Sequence, residues 1–261
     1  MGKITDALRK AAEERIERLD KISRVKEREQ LIVRKIGDSK VDPRVIAYFD
    51  SKALITEQYK ILRTNLLSIN KGKPPKVIVV TSSLHSEGKT ITAVNLAVVL
   101  AQSTKRPKVL LIDADLRRGK VAKYLGVHST VGLADILTGA AQPADALFNI
   151  DIDNLTFIAA GSSPENPAEL LDSENMKGFI SAMKMKFDHV VIDTPPIISV
   201  TDAGLIAGQA DGVLMVIQAG RTQRGIIQRA TELLNQAHSN ILGHVLTNIE
   251  YHLPEYIYRY L

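Results

Sequence analysis

Lys76-Val77-Ile78-Val79-Val80-Thr81 runs directly into Ser82-Ser83-Leu84-His85-Ser86-Glu87-Gly88-Lys89-Thr90. The first segment is apolar and rich in β-branched residues, the pattern of a buried strand. It breaks into a polar loop ending Gly-Lys-Thr, and a helical pattern starts at once. That order is the layout of a phosphate-binding loop. Gly88 lets the backbone approach an anion closely, while loop N–H groups and the helix N-terminus supply positive potential. In this layout Lys89 neutralises the β- and γ-phosphates and the Thr90 hydroxyl reaches Mg²⁺. The usual pattern opens with glycine where this chain has Ser83. A bare Gly-Lys-Thr arises often by chance, so the strand–loop–helix setting carries the reading.

Two more strand ends support it. Lys108-Val109-Leu110-Leu111-Ile112-Asp113-Ala114-Asp115 is a buried-type strand closed by two carboxylates. Their spacing puts Asp113 and Asp115 on one side and Ala114 on the other. His189-Val190-Val191-Ile192-Asp193-Thr194-Pro195-Pro196 is another apolar strand with Asp at its carboxyl end. Taken singly, a strand-terminal Asp reads better as a turn or helix cap. Open parallel sheets bind ligands at the carboxyl ends of their strands. Lys89, Asp113, Asp115 and Asp193 are therefore expected to converge on one magnesium-nucleotide.

The 261 residues suit one large α/β domain. With no cysteine, disulfides, zinc-thiolate sites, iron–sulfur clusters and a cysteine nucleophile are excluded. The six histidines show no metal-ligand spacing. No apolar run approaches the ~20 residues of a transmembrane helix, and no signal-peptide pattern opens the chain, so a cytoplasmic location is expected. The net charge of +5 is uneven. Residues 1–76 hold 19 Lys and Arg against 11 Asp and Glu, leaving 15 against 18 for the remainder.

Residues 1–33 read as an amphipathic helical arm, capped by Thr5 or Asp6, with Leu8, Ala12, Ile16, Leu19, Ile22 and Val25 in a narrow stripe. A solvated or partner-packed helix and a helix docked on a membrane surface both fit. Nucleic acid does not, because the charges are interleaved and no aromatic platform accompanies them. Residues 34–53 read as an extended linker and residues 54–250 as the nucleotide domain. Within it, Leu54–Ile69 is expected to be helical and presents Glu57, Lys60 and Arg63 at every third position. Beyond the phosphate loop, strand and helix patterns alternate to a last strand over Ile241–Asn248. This rhythm predicts a doubly wound, mostly parallel α/β sheet.

Residues 251–261 form a tyrosine-rich tail. Tyr251, Tyr256, Tyr258 and Tyr260 are four of the chain's seven tyrosines. The period-2 spacing of Tyr256, Tyr258 and Tyr260 fits an edge strand or docking peptide. Phenols beside a magnesium–ATP site also fit phosphoryl acceptors.

Together these features resemble the bacterial tyrosine kinases, the cytoplasmic autokinases of exopolysaccharide and capsule export. The likeness runs from Leu54 to the end, and the Met1–Val25 helix resembles stand-alone members. Ser82–Thr90 matches the family's phosphate loop, with His85-Ser86 where Pro-Gly is usual. Asp113 and Asp115 match its second acidic motif and Asp193 its third, and Asn166–Leu171 resembles a further segment. Glu57-x-x-Lys60-x-x-Arg63 matches the oligomerisation motif, whose middle residue is normally Arg. Lys keeps that charge but loses the planar fork.

The resemblance implies a P-loop NTPase fold, ATP and Mg²⁺. Ser86, Glu87, Gly88, Lys89, Thr90 and Ile91 would hold the phosphates, and Asn248 would contact adenine. Thr90, Asp115 and Asp193 would position Mg²⁺, and Asp113, with Asp115 as fallback, would accept the tyrosine proton. It also implies autophosphorylation of the tail between subunits of a ring, activation by a membrane-embedded polysaccharide chain-length protein, and a cognate tyrosine phosphatase. The location implied is peripheral, at the inner face of the plasma membrane through that partner. Arg117 and Arg118 fit a phosphate or subunit contact, and equally a solvated basic turn. The rivals are a partitioning or site-placement ATPase and a nucleotide-gated scaffold. The first carries a second lysine five positions before Lys89, where this chain has Leu84.

Overall fold

The seven strands are β1 (Val77–Ser82), β2 (Val109–Asp113), β3 (Phe148–Asn149), β4 (Leu155–Ile158), β5 (His189–Asp193), β6 (Gly212–Gln218) and β7 (Ile241–Thr247). In the computed structural model, which describes residues 40–69 and 73–249, they form one sheet. Its order is β3-β4-β2-β5-β1-β6-β7. All neighbours are parallel except β3, which pairs antiparallel with β4 at the edge. The sheet is parallel because its central strands are apolar on both faces and must be covered on both. Along β1, Val77 and Val79 enter one apolar cluster while Ile78 and Val80 enter the other.

One layer holds α1 (Ile46–Phe49), α2 (Leu54–Ser68), α3 (Lys89–Ala101) and α4 (Val121–Leu125). The other holds α5 (Leu133–Leu137), α6 (Pro167–Leu171), α7 (Glu174–Lys186), α8 (Asp202–Ala207) and α9 (Arg224–Gln236). A 3₁₀ turn, Pro143–Ala146, precedes β3. The expected strand–helix alternation is present throughout. The two-residue β3 has too short a pattern to read from sequence.

The linker expected over residues 34–53 needs correction in its described part. Ile46–Phe49 is a helical turn, and Val45, Ala47 and Phe49 are buried. The reason lies in α3, where every residue but Ile91 is buried. A helix apolar on all sides needs cover on its outer face, and α1 and α2 supply it. Asn95 fixes the contact: its Oδ1 accepts the Ala47 N–H at 3.0 Å, and its Nδ2 donates to the Arg44 carbonyl at 3.0 Å. Arg63 adds a 2.6 Å bond from its guanidinium to the Val99 carbonyl of α3.

The arm helix expected over residues 1–33 and the tyrosines at 251, 256, 258 and 260 lie outside the described residues.

Candidate active site

The phosphate loop joins β1 to α3 at the carboxyl end of the sheet's interior. Ser86 and Gly88 both take positive φ, 65° and 95°. Alternating left-handed residues curl a backbone into a concave row of N–H groups, the shape that receives an anion. Gly88 is required here: a Cβ would combine the strained φ with a 3.3 Å approach to the Thr247 methyl. Ser86 holds a conformation that glycine takes freely, at the position where the resembled family has glycine.

The loop is braced from behind by its own Glu87, which is 1% exposed. Glu87 Oε2 accepts the Leu84 N–H at 2.7 Å, and Oε1 accepts the Thr222 hydroxyl. Its carbonyl accepts the Thr247 hydroxyl at 2.7 Å. Sequence reading missed Thr222 and Thr247, because lone threonines after β6 and at the end of β7 carry no motif. Asn248 follows directly, exposed and with φ 52°, at the same end of the sheet as the loop. Ile91 lies in the first turn of α3.

Strand register brings the acidic residues together. Asp113 ending β2 pairs in register with Asp193 ending β5, and the Ala114 N–H donates to the Asp193 carbonyl at 2.8 Å. Lys89 Nζ lies 3.3 Å from Asp115 Oδ2 and 3.7 Å from Asp193 Oδ2. The Thr90 hydroxyl donates to Asp193 Oδ2 at 2.7 Å. Asp113 is held by backbone donors: Oδ1 accepts the Asp115 N–H at 3.2 Å and Oδ2 the Val121 N–H at 2.9 Å. Gly119 leaves room for it, since a Cβ there would stand 2.9 Å from Asp113 Oδ2. All four predicted residues thus meet in one buried cluster.

One ammonium faces three carboxyls, and the protonation equilibria show the imbalance. Burial pushes the Lys89 ammonium down, but Asp193, Asp115 and Asp113 outweigh it and hold the group above the ordinary lysine value. Burial, then the nearby Asp193, raises the Asp113 carboxyl to about 7. Burial raises Asp193 to about 6 against the pull of Lys89. Such a cluster is completed by more positive charge. Asp193 Oδ1 is buried without a hydrogen-bond partner, so a lone pair of a hard oxygen donor is left for a cation. Among the described residues no three acidic or histidine side chains form a closed metal cage. Mg²⁺ needs none, because it keeps several waters and binds through one or two carboxylates plus phosphate. The residues present fit a magnesium-nucleotide.

The basic turn after Asp115 divides in two. Arg117 is committed internally, with Nε 2.9 Å and Nη2 3.2 Å from the carboxylate of Asp202, which is fully buried at the start of α8. Arg118 is exposed and anchors only by its backbone N–H, 3.0 Å from Asp115 Oδ1. On α2, Lys60 pairs with Glu57 at 2.7 Å and donates to the Ser51 carbonyl at 2.6 Å, while Arg63 reaches α3. Both cations of that motif are thus engaged within the chain. Leu54, Ile55 and Ile61 of the same helix are each more than half exposed.

A loop curled at Ser86 and Gly88, a lysine at the helix start and acidic residues at two neighbouring strand ends define a P-loop nucleotide-binding protein. A family model described as an AAA domain matches residues 75–244. Tyrosine-protein kinase YwqD of Bacillus subtilis (strain 168) is 38% identical over 216 residues, covering 83% of this chain and 90% of that protein. The crystal structure of the chimerical protein CapA2B2 superposes with TM-score 0.76 at 27% identity, over 80% of this chain and 92% of that one. The BceF tyrosine kinase domain superposes with TM-score 0.72 at 33% identity, over 84% and 88%. The chain belongs to the bacterial tyrosine-protein kinase family.

Proposed function

We propose that the protein transfers the γ-phosphoryl group of ATP to tyrosines of its own C-terminal tail, and that it does so between subunits. The observation that carries this is the Lys89 cluster: one ammonium, one hydroxyl and three carboxyls gathered beside a loop shaped for phosphate. Bound Mg²⁺ neutralises the charge of the phosphates and of the carboxyls around them. Loop N–H groups from Ser86 to Ile91 orient the phosphates, Lys89 offsets charge on the transferred group, and Asn248 contacts the base. Thr90, Asp115 and Asp193 hold the cation side of the site.

Asp113 accepts the proton of the attacking phenol. In the ligand-free site burial and Asp193 hold this carboxyl at about 7, and a phenol of pKa ~10, a poor nucleophile at neutral pH, gains from a carboxylate held against it. Most of the acceleration comes from positioning, which can supply roughly 7–11 kcal/mol, and from charge neutralisation. Tyr251, Tyr256, Tyr258 and Tyr260 are the acceptors. The α2 face carrying Glu57, Lys60 and Arg63 joins subunits into a ring, supported by the exposed Leu54, Ile55 and Ile61 beside them. Among the described residues no helix is long and apolar enough to cross a membrane. A membrane-embedded polysaccharide chain-length protein at the inner face of the plasma membrane activates the kinase, which regulates that system and is reset by a cognate phosphatase.

Leu84 argues against the partitioning ATPases, which need lysine there to reach across a dimer. A mixing experiment tests the proposal. Chains lacking residues 251–261 but retaining the site are combined with Lys89→Met chains that keep the tail, in magnesium and radiolabelled ATP. Label on the Lys89→Met chain supports transfer between subunits. ATP hydrolysis without protein label would favour the ATPase, and nucleotide binding without turnover the scaffold.

A further inference from the structure

The opposite pole of the sheet, where the strands begin, has a different character. A cleft of about 750 Å³ opens there between the segments leading into β1, β2, β5 and β6. Lys73, Lys76, Lys105 and Lys184 line it, with Asp188 and Asp211 as its carboxylates and the buried His189 ring in its wall. Both carboxylates are already used. Asp211 accepts the Lys76 and Val77 N–H groups at 2.9 Å each and pairs with Lys184. Asp188 accepts the Lys108 N–H at 2.8 Å. Lys73, Lys76 and Lys105 make no ion pair among the described residues.

The charge extends beyond the cleft. Arg106 and Lys108 are exposed on the loop into β2, and Lys186 is exposed at the end of α7. Asp151 and Asp153 are exposed on the loop from β3 into β4, whose Asn154 carbonyl accepts the Val109 N–H at 2.9 Å, so they border this pole on its β4 side. Between Lys184 and Lys186 projects Met185, 87% exposed. Ile69, at the end of α2 and four positions before Lys73, is 42% exposed. A site for a soluble anion explains the lysines but not a bare thioether and an isoleucine beside them. An interface that offers phosphate and an apolar layer together explains both.

We propose that this pole docks on a membrane surface rich in anionic phospholipid, with lipid phosphates entering the lysine-lined cleft and Met185 dipping into the interface. The nucleotide site then faces away from the bilayer and stays open to ATP and to neighbouring tails. The contact is distinct from the arm of residues 1–33 and from any protein recruiter, and it does not depend on kinase activity.

Vesicle co-sedimentation of the full chain tests it, using phosphatidylcholine alone or with about 30% phosphatidylglycerol. Binding is expected to the anionic vesicles only, and to weaken as salt rises from about 0.1 M to about 0.5 M. Lys73→Glu/Lys76→Glu/Lys105→Glu should lower the partition coefficient at least about tenfold, and Met185→Ser about threefold. Unchanged ATP binding and thermal midpoint would show that these variants fold. If the triple reversal does not fold, the corresponding Lys→Gln set decides. Binding of the folded pole variants equal to wild type, equal binding to neutral vesicles, or no vesicle binding would each overturn the proposal. So would capture of a phosphotyrosine peptide without any lipid binding, which would assign the cleft to a protein ligand.

Discussion

The Thr90 hydroxyl donates a 2.7 Å hydrogen bond to Asp193 Oδ2, tying the start of α3 to the end of β5 across the site. The bond engages Oδ2 and leaves Asp193 Oδ1 buried without a hydrogen-bond partner. Thr90→Val removes the donor while keeping the shape. Phosphoryl transfer should fall by about 10²-fold or more, as when one preorganised donor is lost from a charged transition state. Initial rates at saturating Mg²⁺ check this.

Ionisation of the acidic cluster sets a pH dependence. Both folded values, about 7 for Asp113 and about 6 for Asp193, lie above the ordinary 3.8, so the folded chain holds these protons more tightly than the unfolded one. Their contribution to stability is fully present below about pH 4 and is lost as pH rises through about 6 to 7. The ligand-free protein should therefore lose stability from about pH 4 to about pH 7 through these two groups, with no further loss from them at higher pH. Asp113→Asn should flatten that loss while abolishing tyrosine transfer. Denaturant midpoints across the range, measured without nucleotide, check the sign.

Ser86 tests the loop's backbone. Its φ of 65° costs an L-residue about 1–2 kcal/mol, part of which glycine returns through a freer unfolded chain. Ser86→Gly should leave stability unchanged or up to about 1 kcal/mol higher and keep ATP affinity. Ser86→Val, β-branched in a left-handed position, should weaken ATP binding by about tenfold or more. Calorimetric titration with ATP separates the two.

Arg117 is a structural cation. Arg117→Ala leaves the buried Asp202 carboxylate without its partner and should cost about 1–3 kcal/mol, less than a fully buried pair because the arginine side chain is 40% exposed. Adding Asp202→Asn should recover much of the loss. Thermal unfolding of the single and double variants measures the coupling.

The central sheet was legible because its interior strands are continuous apolar runs, and three of them, β1, β2 and β5, lead into the phosphate loop or a carboxylate of the site. The site was legible for the same reason, since Lys89, Asp113, Asp115 and Asp193 lie at or just past the carboxyl ends of neighbouring strands, where an open parallel sheet binds its ligand. What escaped depends on contacts distant in sequence. Residues 40–53 look like a linker until α3 is seen to need cover. Thr222, Thr247 and Asp202 matter only because folding places them on Glu87 and Arg117. The brace on the phosphate loop joins positions 87, 222 and 247, and no local pattern marks such a triplet.

The most direct measurement is phosphopeptide mapping of the intact protein after incubation with Mg²⁺ and ATP. Phosphate is expected on Tyr251, Tyr256, Tyr258 or Tyr260 of the wild type and on none of them in Lys89→Met. ATP consumed while every tail tyrosine stays unmodified would contradict the assignment of this site to tyrosine phosphorylation.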